Sequence, residues 1–178
     1  MRNVIVTMFV SLDGVIESPE KWSMVYWNDE ISKIKHEELY AADAMLLGRV
    51  TYDGFAAAWP GRPGEFADRM NTMPKYVASK TPRDLAWKNS SRLDSNIGAA
   101  VTSLKQQPGR DMLVYGGTAF VNTLLAEDLV DEYRLLVYPI VLGRGKRLFT
   151  DDSHAKLKLN ASRDVGSGVV LLSYAPAR

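Results

Sequence analysis

The sequence predicts a single α/β domain over residues 1–178, with helices layered on a mixed β-sheet. Residues 4–10 form a nearly continuous apolar and β-branched run, which is typical of a central strand covered on both faces. Strand-like and helix-like segments then alternate along the chain. Two further strand-like segments, 156–161 and 168–174, follow as an antiparallel pair around the turn residues 164–166.

The remaining elements are predicted from short apolar runs and from helical spacing. Strands are expected at residues 44–47, 74–79, 112–115 and 130–138, with a brief one at 85–87. Helices are expected from an Asn28 cap to about residue 40, at 51–58, at 97–107 and from Thr118 onward. Residues 15–26 and 62–72 are predicted to be connecting loops, the second with at most a short helical turn.

The composition excludes several classes of site. There are no cysteines, so disulfides, thiolate nucleophiles and cysteine-based zinc sites are ruled out. His36 and His154 have no ligand-spaced partners, and we predict no metal site. A net charge of +1 gives no electrostatic reason to expect nucleic acid or an acidic membrane, and no apolar run reaches membrane-spanning length. Residues 1–10 read as a strand and not as a signal peptide, so we expect a soluble, cytoplasmic protein.

Gly116-Gly117-Thr118 is the most informative short stretch. It joins the predicted strand at 112–115 to a helix that begins at Thr118. A strand that turns through two glycines into a helix brings backbone N–H groups close to an incoming anion, and the helix N-terminus adds partial positive charge. The alternative is a simple strand–helix connection in which Thr118 serves as the helix cap.

Two other predicted strand ends carry residues suited to phosphate. Gly48, Arg49 and Thr51 follow one strand, and Ser79 and Lys80 follow the next. Each set has an ordinary explanation as a turn, a cap or a solvated loop. Because ligands bind beyond the carboxyl ends of strands in open α/β sheets, the three ends together favour one nucleotide site. The pattern is neither a Rossmann fingerprint nor a Walker A loop.

A substrate contact is predicted at the end of the first strand. Asp13 could meet a substrate amide or heterocycle or relay a proton, although an Asx turn with Gly14 explains it equally well. Trp22, Trp27 and Trp59 could wall a flat ligand, although large aromatic residues more often lie in the core. The basic, glycine-rich residues 143–147 could also meet phosphate, but the favoured interpretation is a surface turn between strands.

Several short motifs, in order, resemble one known family. They are residues 11–16 (SLDGVI), 46–52 (LLGRVTY), 75–79 (KYVAS), 114–117 (VYGG), 129–132 (LVDE) and 139–145 (PIVLGRG) followed by Leu148 and Phe149. Together they resemble the dihydrofolate-reductase-like superfamily, in particular the C-terminal reductase domain of the bifunctional riboflavin-biosynthesis deaminase/reductase. The resemblance covers nearly the whole chain.

The resemblance implies a three-layer α/β/α sandwich with a mixed, mostly parallel central sheet, an NADPH cofactor and a homodimer. By similarity, the cofactor would be held by the glycine-rich turn and the two other strand ends, and the substrate would face the first-strand loop. The implied cofactor residues are Gly48, Arg49, Thr51, Ser79, Lys80, Gly116, Gly117, Thr118 and Ala119, with Ser79 and Lys80 near the 2′-phosphate. The implied substrate residues are Asp13, Gly14, Trp22 and Trp27, with Asp13 as the catalytic one.

Two departures bear on the substrate. A dihydrofolate reductase grips its pteridine with a carboxylate on the first helix, whereas Asp29 and Glu30 stand here at the helix start, which argues against folate. The riboflavin-pathway reductase acts on a ribosyl phosphate, for which the sequence offers no clear basic set. The resulting hypothesis is an NADPH-dependent reductase of a C=N or C=O bond in a small pyrimidine- or pteridine-like compound, similar to 5-amino-6-(5-phosphoribosylamino)uracil reductase. The alternatives are a non-catalytic nucleotide- or ligand-binding protein on the same fold and a purely structural dimeric domain.

Overall fold

A computed structural model describes residues 1–81, 84–93 and 95–177. Its centre is an eight-stranded sheet in the order β4-β3-β2-β5-β1-β6-β8-β7. The strands are β1 Val4–Ser11, β2 Ala42–Gly48, β3 Lys75–Ala78, β4 Ser90–Arg92, β5 Asp111–Tyr115, β6 Glu132–Tyr138, β7 Leu157–Asp164 and β8 Val170–Pro176. The pairs among β1 to β6 are parallel, and β8 pairs antiparallel with both β6 and β7, so the predicted mixed, mostly parallel sheet is confirmed.

Five α-helices of the described residues flank this sheet. They are α1 Asp29–Ala41, α2 Arg49–Ala58, α3 Glu65–Thr72, α4 Ile97–Gln106 and α5 Thr118–Ala126. In the described ranges of the chain, no helix combines the length and the apolar character needed to cross a membrane.

The side chains of β1 alternate between two separate cores. Val4, Val6 and Met8 pack with apolar residues of α4 and α5 on one face. Ile5 packs on the other face with residues of α1, α2 and α3, and Phe9 lies in a third apolar cluster on that face with residues of α1. Helices therefore cover both faces, which confirms the three-layer α/β/α sandwich and explains why residues 4–10 are almost continuously apolar.

The C-terminal edge of the parallel sheet is stepped beside β1. Val6 pairs with Val114, so β5 ends next to Thr7. On its other side β1 stays paired with β6 as far as Ser11 and Tyr138. The shorter neighbour opens a crevice at the strand ends, which is where open α/β sheets bind ligands.

Two predicted elements are wrong. Residues 65–72 form a regular helix because Ala67 and Met70 are buried one turn apart, while Glu65 and Asp68 favour the positive end of the helix dipole. The brief strand expected at residues 85–87 lies instead at Ser90–Arg92.

The position of β4 follows from how Trp87 is buried. Its indole N–H donates to the Asn71 side chain, and its backbone N–H donates to the Tyr52 hydroxyl. Residues 85–87 therefore pack against α2 and α3 and do not pair with the sheet as a strand. The polar Ser90–Arg92 segment, whose backbone pairs with β3, forms the edge strand.

The β7–β8 hairpin is the least covered part of the sheet. β7 is exposed along nearly its whole length and β8 is mostly half-buried. On the face shared with α4 and α5, Leu159 is 50% exposed and Phe149 is 37% exposed. A row of apolar side chains therefore remains accessible at this end of the molecule.

Candidate functional site

The ends of β2 and β5 meet at a glycine-lined corner. Gly116 and Gly117 have φ values of +62° and +90°, which side-chain-bearing residues rarely adopt. A Cβ on Gly116 would overlap the Thr51 hydroxyl, and a Cβ on Gly48 would lie 3.5 Å from the Gly116 carbonyl oxygen and 4.0 Å from the Gly117 Cα. The structure therefore brings together Gly48, Thr51, Gly116 and Gly117, which belong to two of the three strand ends that the sequence prediction placed in one site.

Two helix N-termini converge on this corner without side-chain caps. α2 begins after Gly48 and α5 after Gly117, and neither cap residue supplies a side-chain hydrogen bond. By contrast, Asn28 and Asn96 cap α1 and α4 by accepting a backbone N–H. The first N–H groups of a helix have no partner within the helix, so the glycine-capped pair presents donors and positive dipole ends to an anion.

Thr118 is not the helix cap that the alternative explanation required. It is the first residue of α5, and its hydroxyl donates to the Arg147 carbonyl oxygen at 2.7 Å. Ala119 follows it and is exposed. The start of α5 is consequently tied to the loop that follows β6.

The three other residues predicted to bind the cofactor, Arg49, Ser79 and Lys80, differ in exposure and in whether their side chains already have a hydrogen-bond partner. Arg49 has an exposed side chain, 3.8 Å from the Asp53 carboxylate. Lys80 is exposed, whereas Ser79 is buried and its hydroxyl donates to the Thr81 carbonyl oxygen at 3.0 Å. Arg49 and Lys80 can turn toward a phosphate, while the Ser79 hydroxyl is engaged in its own turn.

Asp13 is fixed by hydrogen bonds to its carboxylate. It accepts from the Ser11 hydroxyl at 2.7 Å and from the backbone N–H groups of Leu142 and Gly143 at 3.1 and 2.8 Å. These contacts, led by the Ser11 hydroxyl, lower the pKa of Asp13 from 3.8 to about 2. The carboxylate is therefore ionised at neutral pH and holds the loop after β6 against the end of β1.

That loop was predicted to be a simple surface turn, but it contacts both halves of the site. Leu148 donates its N–H to the Gly14 carbonyl oxygen, and the Arg147 guanidinium donates to the Asp13 carbonyl oxygen. The Arg147 carbonyl oxygen in turn accepts from Thr118. A cavity of about 290 Å³ is lined by Arg147, by Gly14 and by apolar residues of β1 and β6. In the sequence, the signals that this loop could line a site were the glycines and the three cations of residues 143–147.

The two tryptophans assigned to the substrate occupy different environments. Trp22 is only 8% exposed, donates its indole N–H to the Glu17 carbonyl oxygen and packs edge-on against Tyr138. Trp27 is 39% exposed and lies 6.2 Å from the Phe9 ring. Trp27 is thus available to a ligand, whereas Trp22 supports the wall from within the core.

Sequence reasoning missed a buried polar cluster beneath α1. Lys35 donates to the Glu38 carboxylate at 2.6 Å and to the Thr7 hydroxyl at 2.7 Å, and that hydroxyl donates to Glu38 at 2.8 Å. A signal was present: these charges stand at positions 35 and 38, on the same helical stripe as the buried Ile31 and Ile34.

Residues 2–171 match the RibD C-terminal domain. The chain belongs to this family. Among curated relatives, the uncharacterized protein YyaP of Bacillus subtilis (strain 168) is 32% identical over 97% of this chain and 94% of its own length.

Several solved structures have the same fold as this chain, although their sequence identity to it is low. A Shewanella sp. PV-4 protein named for riboflavin biosynthesis is 22% identical and covers 99% of each chain, with a TM-score of 0.82. The dihydrofolate reductase of Enterococcus faecalis, solved with NADP(H), is 15% identical over 99% of this chain and 97% of its own, with a TM-score of 0.64. These similarities confirm the dihydrofolate-reductase-like fold expected from the motifs.

Proposed function

We propose that this chain is an NADPH-dependent reductase that transfers a hydride to a C=N or C=O bond of a small pyrimidine- or pteridine-like compound. The observation that carries the proposal is the glycine-lined corner where Gly48, Thr51, Gly116 and Gly117 meet two uncapped helix N-termini. Membership of the RibD C-terminal domain family and the fold shared with an NADP(H)-bound dihydrofolate reductase support the same cofactor.

Each part of the site has a distinct task in this proposal. Gly116, Gly117 and the first amides of α5 hold the pyrophosphate, and Gly48 and Thr51 close the other side. Arg49 and Lys80, at neighbouring strand ends, neutralise phosphate charge that includes the 2′-phosphate, and Ser79 shapes the turn that presents Lys80. NADPH supplies the hydride when bound.

The substrate side is formed by the β1 end and the aromatic wall. Trp27 offers a partly exposed face on which a flat heterocycle can stack, with Trp22 behind it. Gly14 and the ionised Asp13 position the loop after β6, and the carboxylate can accept a hydrogen bond from a substrate N–H. Because its pKa is about 2, Asp13 does not donate the proton that completes the reduction, and that proton comes from water.

The proposal is tested by titrating the purified protein with NADPH while following cofactor fluorescence and the melting temperature. We expect saturable binding and an increase in melting temperature. Gly116→Ala should weaken binding by at least about tenfold, because the new Cβ would overlap the Thr51 hydroxyl and the residue has positive φ. Gly54→Ala, in α2 with open space around the added Cβ, should bind as the wild type does.

A protein that does not respond to millimolar NADPH would contradict the proposal. Cofactor binding without turnover of any compound in a panel of pyrimidines and pteridines would favour the ligand-binding alternative. The Asp13 carboxylate is engaged in structural hydrogen bonds, which gives that alternative its basis.

We also propose a homodimer that acts in the cytoplasm, where NADPH is available. The half-covered apolar row on β6, β8 and β7, with Leu159 and Phe149 exposed, offers the surface that a second copy would cover. This surface borders the cavity beside Gly14 and Arg147. Dimerisation would consequently shield the sheet edge and one side of the site from water.

A further inference from the structure

A second cavity lies at the end of the sheet opposite the candidate site. Its volume is about 320 Å³, and it is enclosed by the C-terminal end of α5, the start of β6, residues 154–157 and the end of β8. Because β6 runs parallel to β1, its first residues lie at the amino ends of the parallel strands. The glycine-lined corner lies at their carboxyl ends. The cavity is therefore separate from the proposed cofactor and substrate sites, and its size suits a ligand with a single ring.

The inner wall of this cavity carries a buried hydroxyl without a partner. Tyr133, the second residue of β6, lines the cavity and is 0% exposed. Its hydroxyl has no hydrogen-bond partner among the described residues. An unpaired buried hydroxyl is costly, and a phenylalanine would fill the same space without that cost. A ligand that pairs with the hydroxyl explains a tyrosine at this position better than packing does.

The charge beside the hydroxyl restricts which group can pair with it. Burial and the nearby Asp128 carboxylate raise the pKa of Tyr133 to about 12, so the hydroxyl keeps its proton at neutral pH and can donate. Asp128 also lines the cavity, which places the hydroxyl end of Tyr133 at the cavity wall. An anionic group would be repelled there by the carboxylate. A ligand hydroxyl fits, because it can accept from Tyr133 and donate to Asp128 at the same time.

The remaining walls select an apolar ring and an anionic group. Leu125, Val130 and Leu157 supply apolar surface. His154 and Lys156 line the cavity and are exposed, so they stand at its mouth. An ammonium group and a ring N–H at the mouth can bind a carboxylate that remains in contact with water.

We propose that this cavity is a second binding site, which takes a small hydroxy-aromatic carboxylate. The ring of the ligand packs on the apolar walls, and its hydroxyl pairs with Tyr133 and Asp128. Its carboxylate meets Lys156 and His154 at the mouth. The site goes beyond the proposed reductase function and does not depend on it, since none of these residues belongs to the proposed cofactor or substrate site.

The test compares three probes by isothermal titration calorimetry with the wild-type protein. They are 4-hydroxybenzoate, benzoate, which lacks the hydroxyl, and 4-hydroxybenzamide, which lacks the negative charge. The protein should bind 4-hydroxybenzoate at least about tenfold more tightly than either of the others. Benzoate leaves the Tyr133 hydroxyl unpaired, and the amide loses the charge-assisted contact with Lys156. Equal affinity for 4-hydroxybenzoate and benzoate, or no binding at millimolar concentration, overturns the proposal.

A pair of tyrosine variants locates the hydroxyl contact. Tyr133→Phe should reduce the preference for 4-hydroxybenzoate over benzoate to near one. The control Tyr138→Phe removes another buried hydroxyl that has no partner among the described residues and that does not line this cavity, so it should keep the preference. Retention of the preference in Tyr133→Phe, or its loss in both variants, overturns the proposal.

A pair of lysine variants locates the carboxylate contact. Lys156→Met should weaken 4-hydroxybenzoate and benzoate by a similar factor, about tenfold, and leave their ratio unchanged. Lys158→Met, at an exposed position of β7 outside the cavity, should bind both as the wild type does. Equal effects of the two variants overturn the proposal. The probe comparison in the wild type needs no variant, so it decides the matter even if a variant does not fold.

These titrations contain no NADPH, and their outcome is independent of the reductase proposal. Binding of 4-hydroxybenzoate with the expected pattern supports the second site even if NADPH does not bind. Failure of that pattern overturns the second site and leaves the cofactor titration to decide the proposed function.

Discussion

Single residues around the candidate site differ in how many of their polar atoms are free to meet a ligand. The carboxylate of Asp13 already accepts three hydrogen bonds, and the Ser79 hydroxyl is engaged in its own turn. Arg49 and Lys80, in contrast, are exposed at neighbouring strand ends. These four residues were all predicted to contact a ligand. Their roles differ because the polar atoms of Asp13 and Ser79 already have hydrogen-bond partners within the protein, whereas Arg49 and Lys80 are exposed to a ligand.

Replacing Arg49 and Lys80 individually by Ala should weaken the preference for NADPH over NADH. Each removed cation eliminates a charge-assisted contact to phosphate, which is worth about 1.5 kcal/mol, or roughly tenfold in affinity. Competition titrations with both cofactors measure the ratio. Lys158→Ala, on the exposed strand β7, is a suitable control for the loss of one positive charge. An unchanged ratio in both site variants would show that the 2′-phosphate binds elsewhere.

Asp13 should stabilise the fold down to an unusually low pH. Its pKa is about 2 in the folded protein and 3.8 without these contacts, so its contribution is complete above pH 4 and is lost as the pH falls toward 2. Melting temperatures measured from pH 5 to pH 2 should fall less steeply in Asp13→Asn, which has no charge to lose. Asp151→Asn, in the turn before β7, should keep the wild-type slope. Identical slopes for Asp13→Asn and the wild type would contradict this role.

Elements near the site are joined by side chains that reach backbone groups. Lys75 at the start of β3 is buried, and its Nζ donates to the carbonyl oxygens of Asn71, Met73 and Lys88 at 2.8–2.9 Å. The same Nζ lies 4.2 Å from the centre of the Trp87 ring. One lysine thus connects the end of α3 to the segment that leads into β4, where regular secondary structure provides no hydrogen bonds.

Lys75→Met should destabilise the protein by about 3 kcal/mol, because three carbonyl oxygens would lose their donor while the side chain keeps similar volume. Urea unfolding measures the change in the free energy of unfolding. Lys88→Met replaces an exposed neighbour and should have little effect. A similar small loss in both variants would show that water satisfies these carbonyl groups.

At the scale of the whole molecule, coverage of the sheet is uneven. Helices enclose β1, β2 and β5, while β7 and much of β8 remain accessible at the far end. An exposed edge strand with apolar neighbours tends to pair or pack with another molecule unless it is covered. This uncovered apolar surface on β7 and β8 is the structural basis for the proposed homodimer.

Leu159→Lys should convert the dimer to a monomer, because the new charge would be buried against apolar residues of the second copy. Size-exclusion chromatography with light scattering measures the mass. Val25→Lys changes an apolar residue that is 84% exposed elsewhere and should leave the mass unchanged. A wild-type protein that is monomeric at micromolar concentration would contradict the proposal.

Local patterns in the sequence were enough to predict much of the secondary structure and the glycine-rich turn. The apolar run of β1, the Asn28 cap and the Gly116–Gly117 turn depend on neighbouring residues and on backbone preference, so they were readable without a fold. The ordered motifs extended this to the α/β/α architecture. Residues 65–72 were misread because their helix is set by burial against α1 and the sheet. Residues 85–92 were misread because Trp87 packs against α2 and α3.

Tertiary structure alone decided what the polar residues can do. Lys35 and Glu38 share a stripe of α1 with buried apolar residues, but their partner Thr7 is defined only when α1 packs on the sheet. Asp13 could be a substrate contact or an Asx turn until the loop after β6 reaches it. These contacts join residues 28 to 129 positions apart. Hydrogen-bond partners and burial depend on such distant pairings, which is why residue types suggested a site while only the folded chain showed which side chains remain free to act in it.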